Sequence, residues 1–170
     1  MDEIQWYGNL FRLLGIAVLL LASMLYGRKR IREERQKIRE AEALLLLTEY
    51  IAEQIEYTMK PLPEILAGFD SPLLCEMGFT GCAAEIGMRK AWERYRGRFQ
   101  LQDGKIQSEF TSFCREIGRG YRKEELELCG LTAKHLRSEL ERMKGDAGNR
   151  DKLYRTIPPL MVLSAALILL

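Results

Sequence analysis

The sequence predicts an all-α protein, a helical bundle that is anchored in a membrane by N-terminal and C-terminal transmembrane helices. Three observations lead to this fold class. Apolar segments occupy both ends of the chain, at Trp6 to Tyr26 and at Ile157 to Leu170. Between them, apolar residues recur every three or four positions, which is the spacing of amphipathic helices. No stretch alternates apolar and polar residues with β-branched enrichment, so we expect no sheet and five to seven helices.

The first apolar segment, Trp6 to Tyr26, would extend roughly 30 Å as a helix, about the thickness of the hydrocarbon core of a bilayer. Aromatic residues mark its ends, and Arg12 is close enough to the outer end to reach the lipid headgroups. A cleaved signal peptide needs a basic region before its apolar core, but Asp2 and Glu3 stand there. We therefore expect an uncleaved anchor.

The second segment, Ile157 to Leu170, would extend roughly 21 Å, which is less than a full crossing. A start at Leu153 lengthens it to a spanning helix, which must then accommodate Pro158 and Pro159 near its beginning. A buried or interfacial tail is the alternative. We predict three regions: an N-terminal anchor over residues 1–27, a cytosolic bundle over 28–152 and a C-terminal transmembrane helix over 153–170.

Lysine and arginine cluster on the inner side of both apolar segments. These basic residues are Arg28, Lys29, Arg30, Arg32, Arg35, Lys37 and Arg39 after the first segment, and Arg150, Lys152 and Arg155 before the second. Because basic flanks stay on the cytoplasmic face, we expect both termini outside and the middle domain in the cytosol. The clusters favour membrane lipids with anionic headgroups as partners, and we expect no nucleic acid.

Two long helices are predicted at the borders of the middle domain. Residues 28–59 contain no glycine or proline and carry an apolar stripe that includes Leu45 and Ile51, and this helix must end before Pro61. A second apolar seam runs from Leu126 to Ala147 and continues in register into the final apolar segment. The simplest arrangement of the two helices is an antiparallel pair.

Shorter elements are predicted between the long helices. Ser71 and Pro72 form an N-cap and first-turn pair that begins a helix over 72–92. Another helix is expected over 109–117, and residues 97–105 have the composition of a loop. The sequence Gly118-Arg119-Gly120 lacks the downstream glycine and the Lys-Ser/Thr pair of a phosphate-binding loop. We interpret it as a helix stop.

Little in the sequence points to catalysis, so we expect no enzyme, no metal and no cofactor. The four cysteines have no CxxC spacing and there is a single histidine, which matches no zinc site and favours reduced core thiols. The cysteines are Cys75, Cys82, Cys114 and Cys129. Acidic pairs lie among basic neighbours, as on a solvated helix face. His135 is a candidate for phosphotransfer, and an ordinary surface histidine is the alternative.

The passage TEYIAEQIEYTMKPLPEIL, residues 48–66, ends one helix in a Pro-x-Pro turn and at once begins another. A helical hairpin corner accounts for this pattern without any ligand. In such a corner Leu62, Ile65 and Leu66 fold back onto Ile55 and Met59. The passage by itself therefore predicts a turn and leaves open whether the turn binds a partner.

The sequence resembles the stage III sporulation protein AB family over nearly the whole chain. The segments that carry the resemblance are, in chain order, RKRIREERQKIREAEALLLL, the passage at residues 48–66, GMRKAWERY, REIGRG and DKLYR. The most specific pieces are Glu53 to Tyr57, Pro61-Leu62-Pro63, Ala91-Trp92 and Leu153-Tyr154-Arg155. Two passages depart from the family pattern. GRGYRKEELEL stands where the family has a Gly-x-Ser-Asp type of turn, and Ile157-Pro158-Pro159 replaces glycines that permit close helix packing in membranes.

The resemblance implies a protein of the mother-cell membrane around the forespore, belonging to the channel or secretion-like complex between the two cells. It also implies a cytosolic domain similar to the F-type platform domain of secretion and pilus systems, which adapts a motor ATPase to membrane components. The expected partners are a cognate cytosolic secretion-type ATPase, sister membrane proteins of the sporulation channel and further copies of the chain. The resemblance and the expected position near the turn select four partner-contact candidates: Glu53, Tyr57, Leu62 and Trp92.

Two other functions remain open on the sequence. One is a platform protein of a pilus or general secretion system, although such proteins normally carry a duplicated domain in a much longer chain. The other is a membrane-tethered signalling protein with a phosphotransfer bundle at His135. Expression restricted to sporulation would separate these functions.

Overall fold

The computed structural model describes residues 2–58, 60–101 and 104–169. Side chains are described at 15, 17–19, 21–58, 60–101, 104–148, 150, 153, 156–157, 160–161 and 164. All the described regular structure is helical, so the predicted all-α class is confirmed. The helices are α1 Asp2–Tyr57, α2 Leu62–Ala67, α3 Pro72–Glu76, α4 Phe79–Ile86, α5 Met88–Tyr95, a 3-10 turn Arg96–Arg98, α6 Gly104–Glu116 and α7 Arg122–Leu169.

The chain divides into two compact units. The bundle unit comprises residues 36–144, and the terminal unit comprises residues 1–35 with 145–170. Within the terminal unit, Arg150 Nη1 lies 3.8 Å from Glu34 Oε2, which links α7 to α1. The predicted borders between the three regions, at residues 27 and 152, fall inside α1 and α7. The division into these three regions stays a prediction.

No helix in the described part of the chain combines the length and the apolar composition that crossing a bilayer requires. Several side chains that entered the prediction of the two anchors, including those of Trp6, Arg12, Pro158 and Pro159, lie outside the described residues. The two membrane spans stay a prediction.

The antiparallel pairing of the two long helices is confirmed within the bundle unit. Lys144 Nζ lies 2.7 Å from Glu42 Oε1, and the Arg137 guanidinium binds the Glu49 carboxylate. The two partners on each helix are seven residues apart, and they run in opposite directions along α1 and α7. The Arg122 guanidinium also donates to the Glu56 carbonyl, which joins the beginning of α7 to the end of α1.

The core face of α1 agrees with the predicted stripe. Leu45, Ile51 and Ile55 are buried, and the run of four leucines contributes one exposed side chain, that of Leu46. On α7, the predicted seam residues Cys129, Leu136 and Leu140 are buried. Each of these helices therefore buries an apolar stripe against the rest of the bundle unit.

The predicted single helix over 72–92 is wrong, because it is divided into α3, α4 and α5. The breaks fall at Gly78 and Gly87, whose φ angles are +74° and +88°. Glycine adopts this left-handed region at little cost, whereas other residues rarely do, so each glycine lets the chain change direction. The helix predicted over 109–117 begins earlier, at Gly104, and the predicted loop over 97–105 includes part of the 3-10 turn.

An aromatic cluster holds α4, α5 and α6 together. Trp92 is 1% exposed, and its ring centroid lies 6.2 Å from that of Phe79, 5.2 Å from that of Phe99 and 4.8 Å from that of Phe110. Its indole Nε1 donates a 2.7 Å hydrogen bond to Thr111 Oγ1. The tilted and edge-to-face packing is typical of stable aromatic clusters, and the hydrogen bond satisfies the buried indole N–H.

A buried carboxylate fixes the segment before α6 on α1. Glu40 is 2% exposed, and its Oε2 accepts a 2.9 Å hydrogen bond from the Leu101 amide. Gln36 Nε2 donates to the other carboxylate oxygen at 3.3 Å. Burial raises the pKa of Glu40, because desolvation outweighs the hydrogen bond from Leu101, which acts in the opposite direction.

The cysteines differ in their surroundings, and all four are free thiols. Cys114 and Cys129 are buried, as predicted, and burial raises the pKa of both thiols. Desolvation, with a smaller contribution from Glu125, raises the pKa of Cys129 to about 12. Cys82 is half-buried against the core, but Cys75 is exposed, so for Cys75 the prediction of a core thiol is wrong. Its sulfur lies 3.6 Å from the Phe69 carbonyl oxygen and 3.6 Å from Thr80 Oγ1.

Candidate partner-binding surface

A groove lies at the end of the bundle unit where α1 ends and α7 begins. Three connections surround this distal groove: the α1–α2 turn at Pro61, the α4–α5 junction at Gly87 and the α6–α7 turn at Gly118. Its volume is about 910 Å³, at the upper end of the range for ligand-binding clefts. Because it is built from turns at one end of the helices, it is open to a partner approaching along the bundle.

The α1–α2 turn forms one wall. The Pro61 carbonyl accepts hydrogen bonds from the Glu64 amide at 3.0 Å and the Ile65 amide at 3.2 Å, which begins α2 directly after the proline. Leu62 is half-buried against the core, and Ile65 is buried in the same cluster as Ile55. The ring centroids of Tyr50 on α1 and Phe69, just after α2, lie 5.1 Å apart, so the chain after α2 packs on α1. The predicted contact with Ile55 stays a prediction, and Met59 lies outside the described residues.

The α6–α7 turn forms an adjoining part of the lining. Gly118 has a φ of +84°, which confirms the predicted helix stop. A Cβ atom on Gly118 would lie 3.1 Å from Leu62 Cδ2, so the two turns are in close contact. The turn is then fixed by α7, because Glu124 Oε2 accepts from the Tyr121 amide and Glu125 Oε1 accepts from the Gly120 amide, both at 3.2 Å.

Replacing Gly118 by alanine is expected to lower the free energy of unfolding by about 1–2 kcal/mol, the cost of a left-handed conformation for an L-residue. Crowding of Leu62 adds to this loss. Gly81→Ala is the matched control, because a Cβ there meets no atom within 4 Å. It should stabilise the chain by roughly 0.5–1 kcal/mol, since alanine is the better residue inside a helix. Urea denaturation followed by circular dichroism measures both, and effects of the same sign would contradict this account.

The distal groove combines apolar and cationic surfaces. Met88 and Ile117 are buried at its floor, while Ile86 is 42% exposed on its rim. Five cationic side chains and two carboxylates complete the lining: Lys60, Arg89, Lys90, Arg115, Arg119, Glu93 and Glu125. The lining therefore carries an excess of positive charge.

The structure brings three of the four predicted contact residues to one corner of the bundle unit. Glu53 and Tyr57 are exposed on the last turns of α1, with Tyr57 76% exposed, and Leu62 lines the distal groove. Trp92 is different, because its side chain is packed in the aromatic cluster and is out of reach of a partner on the surface. Both residues of the Ala91-Trp92 motif are buried, so in the structure they contribute to core packing.

Sequence reasoning missed the cations of the distal groove. Lys90 lies on α5, Arg115 on α6 and Arg119 in the turn that follows. They stand in the motifs GMRKAWERY and REIGRG that carry the family resemblance, but no spacing pattern marks them as parts of one site. Only the packing of α5 against α6 and the turn at Gly118 bring them together.

His135 lies apart from this groove. Its Nδ1 is 3.3 Å from Glu109 Oε2, which links α7 to α6 through two exposed side chains. Among the described residues, no three His, Cys, Asp or Glu side chains are grouped so that they could hold a metal ion. The histidine therefore has one carboxylate neighbour, which the sequence did not indicate because the two residues lie on different helices.

The stage III sporulation protein AB family model matches residues 12–170. The chain belongs to this family. The match includes the whole bundle unit and every residue that lines the distal groove, and it confirms the resemblance that the motifs indicate. No curated protein and no solved structure matches the chain. Membership of the stage III sporulation protein AB family makes this a sporulation-associated protein.

Proposed function

We propose that this member of the stage III sporulation protein AB family is a non-enzymatic adaptor of the complex between mother cell and forespore. In this role it couples a cytosolic secretion-type ATPase to membrane components. The observation that carries the proposal is the distal groove, which joins an exposed apolar rim to charged residues, the composition of a protein-binding surface. Family membership supplies the sporulation context.

The terminal helices are proposed to anchor the protein in the mother-cell membrane, with both termini outside the cytosol. The apolar terminal segments and their basic inner flanks support this topology. The long helices also support it, because α1 and α7 each connect a terminal apolar segment to the bundle unit without a break. A periplasmic reporter fused to the C-terminus would be inactive if the second span does not cross.

The position of the distal groove fits a cytosolic partner. The chain passes between its two units at residues 35–36 and 144–145. From residue 36 to the end of α1 at Tyr57, the helix extends roughly 30 Å. Within the bundle unit, the groove therefore lies at the opposite end from residues 36 and 144.

The test is retention of the sporulation-expressed secretion-type ATPase of the same organism by the purified full chain in neutral detergent. We expect Ile86→Glu to abolish retention, because it replaces the exposed apolar side chain on the groove rim by a charged one. Leu46→Glu is the matched control, since Leu46 is 56% exposed on α1 and does not line the groove. The proposal fails if the wild type does not retain the ATPase, or if both variants retain it equally.

The family match favours the sporulation complex over a pilus or general secretion platform. One observation supports the alternative that His135 takes part in phosphotransfer. The Glu109 carboxylate lies 3.3 Å from His135 Nδ1 and would orient the imidazole. Incubation of the full chain with radiolabelled phosphate donors tests it. Label that appears on the wild type and is lost in His135→Gln would establish this second function.

A further inference from the structure

We propose that the distal groove binds an acidic, amphipathic segment of the partner protein. Carboxylates of that segment pair with the groove cations, and an apolar side chain of the segment lies against Ile86 and Leu62. This inference rests on the proposed function for the identity of the partner, and it adds the chemistry by which the groove recognises it.

Part of the positive charge at the groove is left unpaired by the fold. Glu93 is bound to Arg89, with 3.3 Å between the carboxylate and Arg89 Nε, and Glu125 caps the α6–α7 turn. Both lining carboxylates are therefore engaged in the fold. Within the described part of the chain, the four remaining lining cations make no ion pair: Lys60, Lys90, Arg115 and Arg119.

These cations are held on separate elements, which fixes their spacing. Lys60 precedes α2, Lys90 lies on α5, Arg115 lies on the last turn of α6 and Arg119 follows it. All four side chains are exposed. Such a concentration of one sign of charge attracts acidic partners and disfavours basic ones, so it provides selectivity and speeds the encounter.

The same groove also has an apolar part. Ile86 is 42% exposed beside the half-buried Leu62, and Met88 and Ile117 form an apolar floor. A simple anion such as inorganic phosphate would leave this surface uncovered and gain nothing from it. A segment that carries both carboxylates and an apolar side chain satisfies the two parts together.

A membrane surface is a poor occupant for the same groove. The groove lies at the end of α1, roughly 30 Å along the helix from the residues where the chain enters the bundle unit. The basic flanks that suit anionic headgroups are elsewhere in the sequence, before residue 40 and after residue 149. The protein segment is therefore the occupant that the charge and the position favour.

The test uses the full chain in neutral detergent and a fluorescein-labelled peptide in which glutamates and leucines occupy opposite faces of a helix. Two matched peptides carry lysine in place of glutamate or serine in place of leucine. Fluorescence anisotropy is expected to detect binding of the first peptide only. Higher salt should weaken it, because exposed charge pairs are screened.

The decisive variant reverses two groove cations, Lys90→Glu with Arg119→Glu. We expect it to weaken peptide binding by about tenfold or more, since two attractions become repulsions. The matched control reverses Arg39 and Lys134, which carry the same charge, do not line the groove and lie more than roughly 10 Å along their helices from the groove end of the bundle unit. It should change the affinity by less than about twofold, because charges separated by more than a Debye length are largely screened. Thermal unfolding verifies that each variant is folded, and Lys90→Gln with Arg119→Gln replaces the reversal if it is not.

Equal peptide affinity in the wild type and the groove variant would overturn the inference, as would tighter binding of the lysine peptide. Preference for vesicles containing anionic lipid, lost in the groove variant, would identify a lipid occupant and also overturn it. ATPase retention is measured in parallel. Retention that survives the groove reversal refutes this inference alone, whereas peptide binding without any ATPase retention refutes the proposed function alone.

Discussion

Trp92→Ala is expected to lower the free energy of unfolding by about 3–5 kcal/mol, the usual cost of removing a large buried aromatic side chain. The indole is 1% exposed and packs against Phe79, Phe99 and Phe110, which come from three different segments of the bundle unit. Its loss opens a cavity between these segments. It also leaves the Thr111 hydroxyl without the indole donor. Urea denaturation of the full chain in neutral detergent, followed by circular dichroism, measures the change.

Two further variants separate packing from surface contact. Trp92→Phe retains most of the aromatic contact and loses the hydrogen bond to Thr111, so a smaller loss of about 1–3 kcal/mol is expected. Tyr57→Ala, at a 76% exposed position, should change stability by less than about 0.5 kcal/mol. If Trp92→Ala retained wild-type stability and nevertheless lost ATPase binding, Trp92 would be a contact residue and its assignment to the core would be refuted.

Leu47→Ala is expected to destabilise the bundle unit by about 2–5 kcal/mol, because a fully buried leucine leaves a cavity when it is shortened. Leu47 is 0% exposed, and the neighbouring core positions Leu44 and Ile51 are equally buried. These residues form the face of α1 that packs into the bundle unit. The same denaturation experiment measures the loss.

The adjacent residue supplies the matched control. Leu46→Ala removes the same atoms from the same helix, but Leu46 is 56% exposed, so its effect should stay within about 0.5 kcal/mol. A difference between the two variants would confirm which side of the leucine run faces the core. Equal losses would mean that α1 is rotated relative to the described packing.

The sequence predicts the long helices of this fold better than the short ones. The stripes on α1 and α7 repeat over many turns, and the predicted helices and their antiparallel pairing agree with the structure. Within the segment 72–92 the three helices have only 5, 8 and 8 residues, too few turns for periodicity to identify each one, and all three carry apolar residues. Its division at Gly78 and Gly87 depends on backbone angles that a glycine permits and does not require.

The candidate site was predicted in part. The Pro-x-Pro turn follows from local pattern, because a helix must end before Pro61. Glu53 and Tyr57 are selected by the family resemblance and their expected position near the turn, and both are exposed. Trp92 was selected from a motif, and motifs do not distinguish a residue that binds a partner from one that supports the surface. No local pattern predicts that the groove cations lie close together, because residues from separate helices meet only after the bundle has packed.

The sequence by itself determined that this protein is helical, that its two longest helices are antiparallel and that it belongs to a sporulation family. These properties rest on the spacing of apolar residues along single helices and on ordered motifs along the chain. Only the tertiary structure decided that Leu46 faces out, that Trp92 faces in and that Lys90 and Arg119 line one groove. The physical reason is that burial and charge proximity are properties of packed elements, whose relative positions no local spacing specifies.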